Sequence, residues 1–359
     1  MTTLSWETRA EKCRKTLQDS LNPEWLLPAN KLPEAEQLNV VGFIESCGLL
    51  TPRELEITVL TATKLVAGMA AGTLTAVEVV TAFLKRAHVG HQLTNLATEF
   101  LTDDALSRAA ELDEHFRTTG KLIGPLHGIP ISVKEHVGFK GRVCHGAYVA
   151  YTDNVPKEDA LLLQCLRNAG AIFHVRTNEP QSLLVRSPSL VDGPANNKFQ
   201  AMECTNPIYG TTVNPFNRKL TPGGSSGGEG ASIGLHCSAM GIGTDVGGSV
   251  RAPAAFCNSW GLKTTALRNP YNGVCLPGEG QESIRCVISP LAHCAEDIVL
   301  FEKAVLDQEP WDIETSLVPL PWKDVPSYKP QDITIGVLWN DGYAFHICHR
   351  KTSCKKFES

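Results

Sequence analysis

Two glycine-rich segments in the middle of this chain limit, more than any other feature, what it can fold into. Residues 221–231 read TPGGSSGGEGA, and residues 243–251 read GTDVGGSVR. Glycine loses more conformational entropy on folding than any other residue, so this density indicates unusual dihedral angles or a close approach of a ligand to backbone N–H groups. Each segment surrounds a serine with glycine, Ser225 in the first and Ser249 in the second. We therefore expect two serine hydroxyls that lie on backbone segments without neighbouring side chains, where a ligand can approach the backbone closely.

Three other interpretations of these glycines are weaker. A flexible linker conflicts with their mid-chain position between apolar segments. A phosphate-binding loop would need a Gly-Lys-Ser or Gly-Lys-Thr ending, which is absent. A dinucleotide fingerprint could be placed on residues 228–234, but no strand pattern precedes it.

The surroundings of Ser249 suit a nucleophile. Gly247 and Gly248 precede it, so successive backbone N–H groups could form an oxyanion hole, where each donor typically contributes ~3 kcal/mol. A serine hydroxyl also needs a base, and none of the eleven histidines lies in a glycine-rich turn beside a serine. Lys134, at the end of the apolar run 128–133, could serve if burial lowers its pKa. The alternative for a lone lysine is a surface side chain that snorkels from a strand end.

Composition excludes several classes of partner. The net charge of −5 does not indicate binding to nucleic acid or to an anionic membrane surface. No apolar run approaches the length of a membrane span, so no membrane anchor is expected. The first residues, MTTLSWE, lack a signal-peptide pattern, and the twelve cysteines are therefore interpreted as reduced thiols. We expect a cytoplasmic protein.

Helices are expected in the first third of the chain. Thr51 and Thr75 each stand three residues before a glutamate, in the order of a capping box. The second cap precedes apolar residues at helical spacing, and a further helix is expected at 103–116, closed by Gly120.

From about residue 122 the pattern changes to alternating short apolar strands and helices. Strands are expected at 129–133, 171–175 and 333–338, and helices or helical turns at 159–168, 232–235 and 253–256. Such alternation predicts an α/β fold in which helices cover both faces of a sheet.

Three motifs together carry a resemblance to a known family. The motifs are the run from Gly224 to Ala231 continued by 243–253, the run 128–134 (GIPISVK), and the supporting runs 176–182 and 210–215. Through them the chain resembles the amidase signature family, nearest its fungal acetamidase and general amidase branch. The resemblance extends from about residue 55 to 340. It implies the amidase-signature fold, with a large mixed β-sheet core. The corresponding organisation is an N-terminal helical arm at 1–54, the amidase-signature domain at 55–342, and a divergent tail at 343–359.

The resemblance also implies a role for each motif residue. Ser249 would be the nucleophile, Lys134 the base, and Ser225 the bridging serine, which in the family follows a cis peptide bond, here Gly224–Ser225. The oxyanion hole would use the backbone amides of Val246, Gly247, Gly248 and Ser249 itself, and the supporting groups would be Ser226, Thr244, Asp245 and Arg251. Asp245 could pair with Arg251 for structural or for catalytic reasons. The implied reaction hydrolyses a small-molecule amide to carboxylate and ammonia or an amine, without cofactor or metal.

Two segments depart from the family. Residues 185–200 have no counterpart, and we interpret them as a retained intron or a polar surface loop. After residue 342 the sequence no longer resembles the family, so the chain is expected to be C-terminally truncated and the fold incomplete there. His346, His349 and Cys354 do not match a zinc spacing. The alternative functions are a catalytically impaired fragment of such an amidase and an amidotransferase-type subunit. The oligomeric state is left open, with a homodimer as the candidate.

Overall fold

A computed structural model of the chain describes residues 5–183, 203–275, 283–324 and 329–336. By their contacts, residues 1–322 form one unit and residues 323–359 a second. In the second unit the described residues include a 3-10 turn at Pro330–Asp332. The predicted insertion at 185–200 and the predicted tail at 343–359 lie outside the described residues.

Helices dominate the N-terminal part, as the sequence predicts. They are α1 (Trp6–Ser20), α2 (Phe43–Ser46), α3 (Pro52–Thr58), α4 (Ala62–Ala70) and α5 (Ala76–Thr94), with 3-10 turns at Pro23–Trp25 and Ala29–Lys31. Thr51 caps α3 in a complete capping box: its hydroxyl accepts from the Glu54 amide, and the Glu54 carboxylate accepts from the Thr51 amide. Thr75 caps α5 by accepting from the amide of Glu78 at 3.1 Å.

Among the described residues, the main sheet has six strands. In chain order they are β1 (Ala97–Phe100), β2 (Pro130–Lys134), β3 (Ile172–Thr177), β6 (Met240–Asp245), β7 (Trp260–Gly261) and β8 (Val287–Ala292), while β4 (Thr205–Asn206) and β5 (Gly210–Thr211) form a separate pair. The spatial order is β1-β3-β2-β6-β8-β7. The central strands β3, β2 and β6 are parallel, and β1, β8 and β7 join antiparallel. The fold is therefore the mixed α/β arrangement that the resemblance implies.

Five further helices lie in the described part of the chain, each after a strand. They are α6 (Thr102–Thr119), α7 (Leu161–Asn168), α8 (Gly227–Gly234), α9 (Arg251–Phe256) and α10 (Ala295–Leu306). Gly120 ends α6 in the left-handed region, as predicted. Both α8 and α9 begin before the helical turns expected at 232–235 and 253–256, so the glycine segments run directly into helices.

The expected strand at 333–338 is wrong over its described residues. Residues 333–336 form no strand, and the side chains of Ile333 and Ile335 are 52% and 79% exposed. An alternating apolar run does not by itself determine a strand, because strand propensity depends on packing against neighbouring strands. Among the described residues, none of the helices is both long enough and apolar enough to cross a membrane.

Candidate active site

Lys134 ends β2 and lies at the centre of the site. The strand runs between β3 and β6, parallel to both, and the lysine side chain has no exposed surface. Its Nζ donates to Ser225 Oγ at 2.7 Å and lies 3.1 Å from Thr244 Oγ1. The interpretation of Lys134 as a snorkelling surface lysine is therefore wrong, and the structure brings it together with Ser225.

Ser225 stands at the entrance to α8. The peptide bond Gly224–Ser225 is cis, and the serine is 2% exposed. Just before it, Gly223 has φ +84, and a Cβ there would lie 2.8 Å from the backbone nitrogen of Pro253. Only glycine fits such a position, because both the dihedral angle and the close backbone exclude a side chain. The first glycine segment is thus a packed turn and helix, and the interpretation as a linker is wrong.

Ser249 lies in a loop after β6 that is tied to the Ser225 turn. The carbonyl oxygen of Ser249 accepts from the amide of Ser226 at 3.1 Å. The hydroxyl of Ser226 lies 3.4 Å from the carbonyl oxygen of Thr244 and accepts from the Thr244 amide at 3.3 Å. Ser249 is partly buried, and its side chain has no hydrogen-bond partner among the described residues.

Asp245 shapes the loop that carries Ser249. Its carboxylate pairs with the guanidinium of Arg251 through two contacts of 3.0 Å and accepts from the amides of Gly248 at 2.7 Å and Val250 at 3.1 Å. Although burial opposes ionisation, the bonds from Arg251 and the amides lower the pKa of Asp245 to about 2. The pairing of Asp245 with Arg251 is therefore observed, and it organises the loop. The Gly248 amide already donates to Asp245. Of the predicted oxyanion donors, the amides of Val246, Gly247 and Ser249 are therefore the ones that do not bond to Asp245.

Two residues that the sequence reasoning missed complete the surroundings of Lys134. Glu179 Oε2 lies 3.8 Å from Lys134 Nζ and contacts His136 Nδ1, and His136 Nε2 lies 3.1 Å from Thr244 Oγ1. Burial lowers the pKa of Lys134, and the charge of Glu179 opposes that shift. Burial likewise raises the pKa of Glu179 and lowers that of His136. A signal existed in the sequence, because His136 and Glu179 each stand within a few residues of the end of an expected strand.

Glu229 is a third buried acid whose charge acts on Lys134. Glu229 of α8 accepts from Ser132 Oγ at 2.5 Å and from Thr177 Oγ1 at 2.6 Å. Burial raises its pKa to about 8, so it is mostly a neutral carboxylic acid at pH 7. Within the described part of the chain, no group of three or more histidine, cysteine, aspartate or glutamate side chains could hold a metal ion. The sequence His346–Cys354 lies outside the described residues.

Several known proteins are similar to this chain. A family model described as Amidase matches residues 78–352. The acetamidase of Aspergillus oryzae is 42% identical over 331 residues, and that of Emericella nidulans is 40% identical over 338 residues. Among solved structures, a fatty acid amide hydrolase superposes with a TM-score of 0.86 at 39% sequence identity, covering 94% of this chain.

These relatives are longer than the present chain. The matches cover 92% and 94% of this chain but only 57% of each acetamidase, and 57% of the fatty acid amide hydrolase chain. This chain therefore spans somewhat more than half the length of the relatives it matches.

Proposed function

This chain belongs to the Amidase family, and from that premise we propose that it hydrolyses a carboxylic amide to a carboxylate and ammonia or an amine. The observation that carries the proposal is the 2.7 Å contact between the buried Lys134 amine and Ser225 Oγ, beside the loop of Ser249. The names of the relatives, acetamidase and fatty acid amide hydrolase, point to non-peptide C–N bonds.

Acylation would begin with attack of Ser249 Oγ on the amide carbonyl carbon. The Ser249 hydroxyl proton passes to Ser225 Oγ, while the proton of Ser225 passes to the Lys134 amine. A lysine can accept it only as the free amine, and complete burial favours that form because it disfavours the ammonium. The backbone amides of Val246, Gly247 and Ser249 would stabilise the negative charge on the substrate oxygen.

Collapse of the tetrahedral intermediate would reverse the proton path. The Lys134 ammonium returns its proton through Ser225 to the leaving nitrogen, the C–N bond breaks, and ammonia or the amine departs. Water then attacks the acyl-serine ester by the same relay and releases the carboxylate. The pairing of Asp245 with Arg251 supports this scheme, because it fixes the loop from which Ser249 and the amides project.

The test measures ammonia released from acetamide and benzamide, together with covalent labelling by a fluorophosphonate. We expect Ser249→Ala to abolish both and Lys134→Ala to lower the labelling rate by at least about 100-fold, which is typical of losing a general base. Ser259→Ala is the matched control, since among the described residues that hydroxyl donates only to the carbonyl oxygen of Ala254. A folded wild-type protein that is neither labelled nor active refutes the proposal.

We also propose a cytoplasmic location. The described cysteines are free thiols, which a reducing compartment maintains. Imaging of a fluorescent fusion tests this, and accumulation in a secretory compartment would contradict it.

A further inference from the structure

Three neighbouring parallel strands deliver ionisable and hydroxyl groups to one edge of the sheet. Lys134 ends β2 and lies in register with Thr177 at the end of β3, so Glu179 follows two residues beyond. On the other side β6 pairs with β2 and brings Thr244 to the same edge. Because parallel strands end at a common edge, groups far apart in the sequence converge there.

These groups form an unbroken chain of contacts that begins at the lysine. Lys134 Nζ lies 3.1 Å from Thr244 Oγ1, which lies 3.1 Å from His136 Nε2, and His136 Nδ1 contacts Glu179 Oε2. All four residues are buried, at 1% exposure or less. The second carboxylate oxygen of Glu179 is buried without a hydrogen-bond partner among the described residues. A carboxylate placed this way in low dielectric interacts strongly with any charge on the lysine.

Other charged and titratable groups also face this chain. Besides burial, the charges of Glu179, Cys286, Cys204 and Glu229 affect the pKa of Lys134. The pKa of Glu179 is affected by Lys134, Glu135 and His145. The pKa of His136 is affected by Arg176 and Glu135. Although burial opposes ionisation, the contacts with His145 and Arg176 lower the pKa of Glu135 to about 2. Glu229 is mostly protonated at pH 7, with its pKa raised to about 8. Of the described carboxyl groups around the lysine, Glu179 is the one within ion-pair distance of it, at 3.8 Å.

We propose that Glu179, acting through His136 and Thr244, shares one proton with Lys134 and supplies the counter-charge when Lys134 becomes an ammonium during catalysis. Glu179 and His136 are then positioning residues for the base, since neither has to touch the substrate. This inference rests on the proposed function, in which Lys134 is the base.

The reactive form of the site is the one in which Lys134 and Glu179 have lost their shared proton. When the pair loses its shared proton, the lysine is a free amine and Glu179 a carboxylate. The proton taken from Ser225 then converts an amine beside an anion into an ion pair. Two effects follow, because a nearby anion favours the protonated lysine. Glu179 raises the pH at which the free base appears, and it raises the rate once that base has formed.

The test is the pH profile of kcat/KM, and of the fluorophosphonate labelling rate, in wild type and Glu179→Gln. We expect the acidic limb to move to lower pH by about one unit or more, the usual effect of removing an opposite charge at this distance. The plateau rate should fall by at least about tenfold. Glu179→Asp keeps the charge and should leave the limb near the wild-type pH. Glu302→Gln, a buried acid on α10 bonded to Asn269, is the matched control and should not move the limb.

A limb that stays in place for Glu179→Gln while the rate falls at every pH would overturn the proposal and leave Glu179 a structural residue. If Glu179→Gln does not fold, Thr244→Val is the test variant. It removes the hydroxyl that links Lys134 to His136, so the acidic limb of the pH profile should also move to lower pH. If wild type proves inactive and unlabelled, the proposed function fails separately. The pKa of Lys134 can then be measured without turnover, from the ¹³Cε shift in ¹³C-lysine-labelled protein, assigned by its loss in Lys134→Ala. An unchanged midpoint in Glu179→Gln would refute the sharing of the proton, and a lower midpoint would support it.

Discussion

His88 on α5 should make the stability of this chain fall between pH 6.5 and pH 4. The ring is fully buried. Its Nε2 accepts from the backbone N–H of Asn22 at 3.0 Å, and its Nδ1 lies 2.7 Å from the carbonyl oxygen of Leu84. A backbone N–H can only donate, so Nε2 must be unprotonated and the proton must sit on Nδ1. The folded chain therefore accommodates only the neutral ring.

The magnitude follows from the pKa of the ring in the two states. Burial lowers the pKa of His88 from 6.5 to about 4 in the folded chain. As the pH falls through 6.5 the unfolded chain binds a proton that the folded chain does not bind until about pH 4. Stability is thus fully present above pH 6.5 and is lost progressively down to pH 4. At pH 5 the loss is about 2 kcal/mol, since each unit of pKa difference corresponds to about 1.4 kcal/mol.

Urea denaturation of wild type and His88→Gln, at about pH 7.5 and about pH 5, measures this contribution. We expect the free energy of unfolding of wild type to fall by about 2 kcal/mol more than that of the variant across this interval. The variant also loses packing against Trp25 and Phe100, which lowers its stability at both pH values equally. Only the difference in pH dependence tests the reasoning. Parallel curves for the two proteins would refute it.

Three further predictions concern the glycine segments and the acids beside them. Gly228→Ala should destabilise the fold by about 3 kcal/mol in urea denaturation, because the new Cβ would lie 2.5 Å from the backbone nitrogen of Asn178. Gly42→Ala, with open space around it, should change stability by less than about 0.5 kcal/mol. Asp245→Asn should lower the free energy of unfolding by about 2 kcal/mol and speed proteolysis of the adjoining loop. An unchanged cleavage rate would contradict the role of Asp245 in organising that loop. Glu229→Gln should gain stability relative to wild type by about 1.4 kcal/mol per pH unit between pH 4.5 and 8, because over this interval the folded wild type retains a proton that the unfolded chain has lost; pH-independent unfolding differences would contradict this.

Local signals in the sequence predicted local structure well. The capping box at Thr51 and the glycine that ends α6 at Gly120 were both predictable, because each depends on a few adjacent residues. The start of α8 was not, since four glycines between 227 and 234 oppose a helix by propensity. That helix forms because its residues are all buried, so tertiary packing outweighs propensity.

The neighbours of Lys134 were harder to predict than the lysine itself. Its burial could be anticipated from the apolar run that it ends. Its contact with Glu179 depends on the parallel register of β2 with β3, and its contact with Thr244 depends on β6. No local pattern encodes which strands are adjacent, so a sequence can place charges at strand ends without showing which of them meet.

Asp245 and Glu229 show why residue type does not determine the chemistry of this site. Both carboxyl groups have no exposed surface, and burial alone would raise both pKa values. Asp245 receives a guanidinium and backbone amides, which favour the anion, and its pKa falls to about 2. Glu229 receives only the hydroxyls of Ser132 and Thr177 among the described residues, and burial raises its pKa to about 8. The number and charge of the donors therefore decide which acid is ionised at pH 7. By the same reasoning the free-base form of Lys134 is set by the groups around it, and Glu179 is the nearest of the acids that can change it.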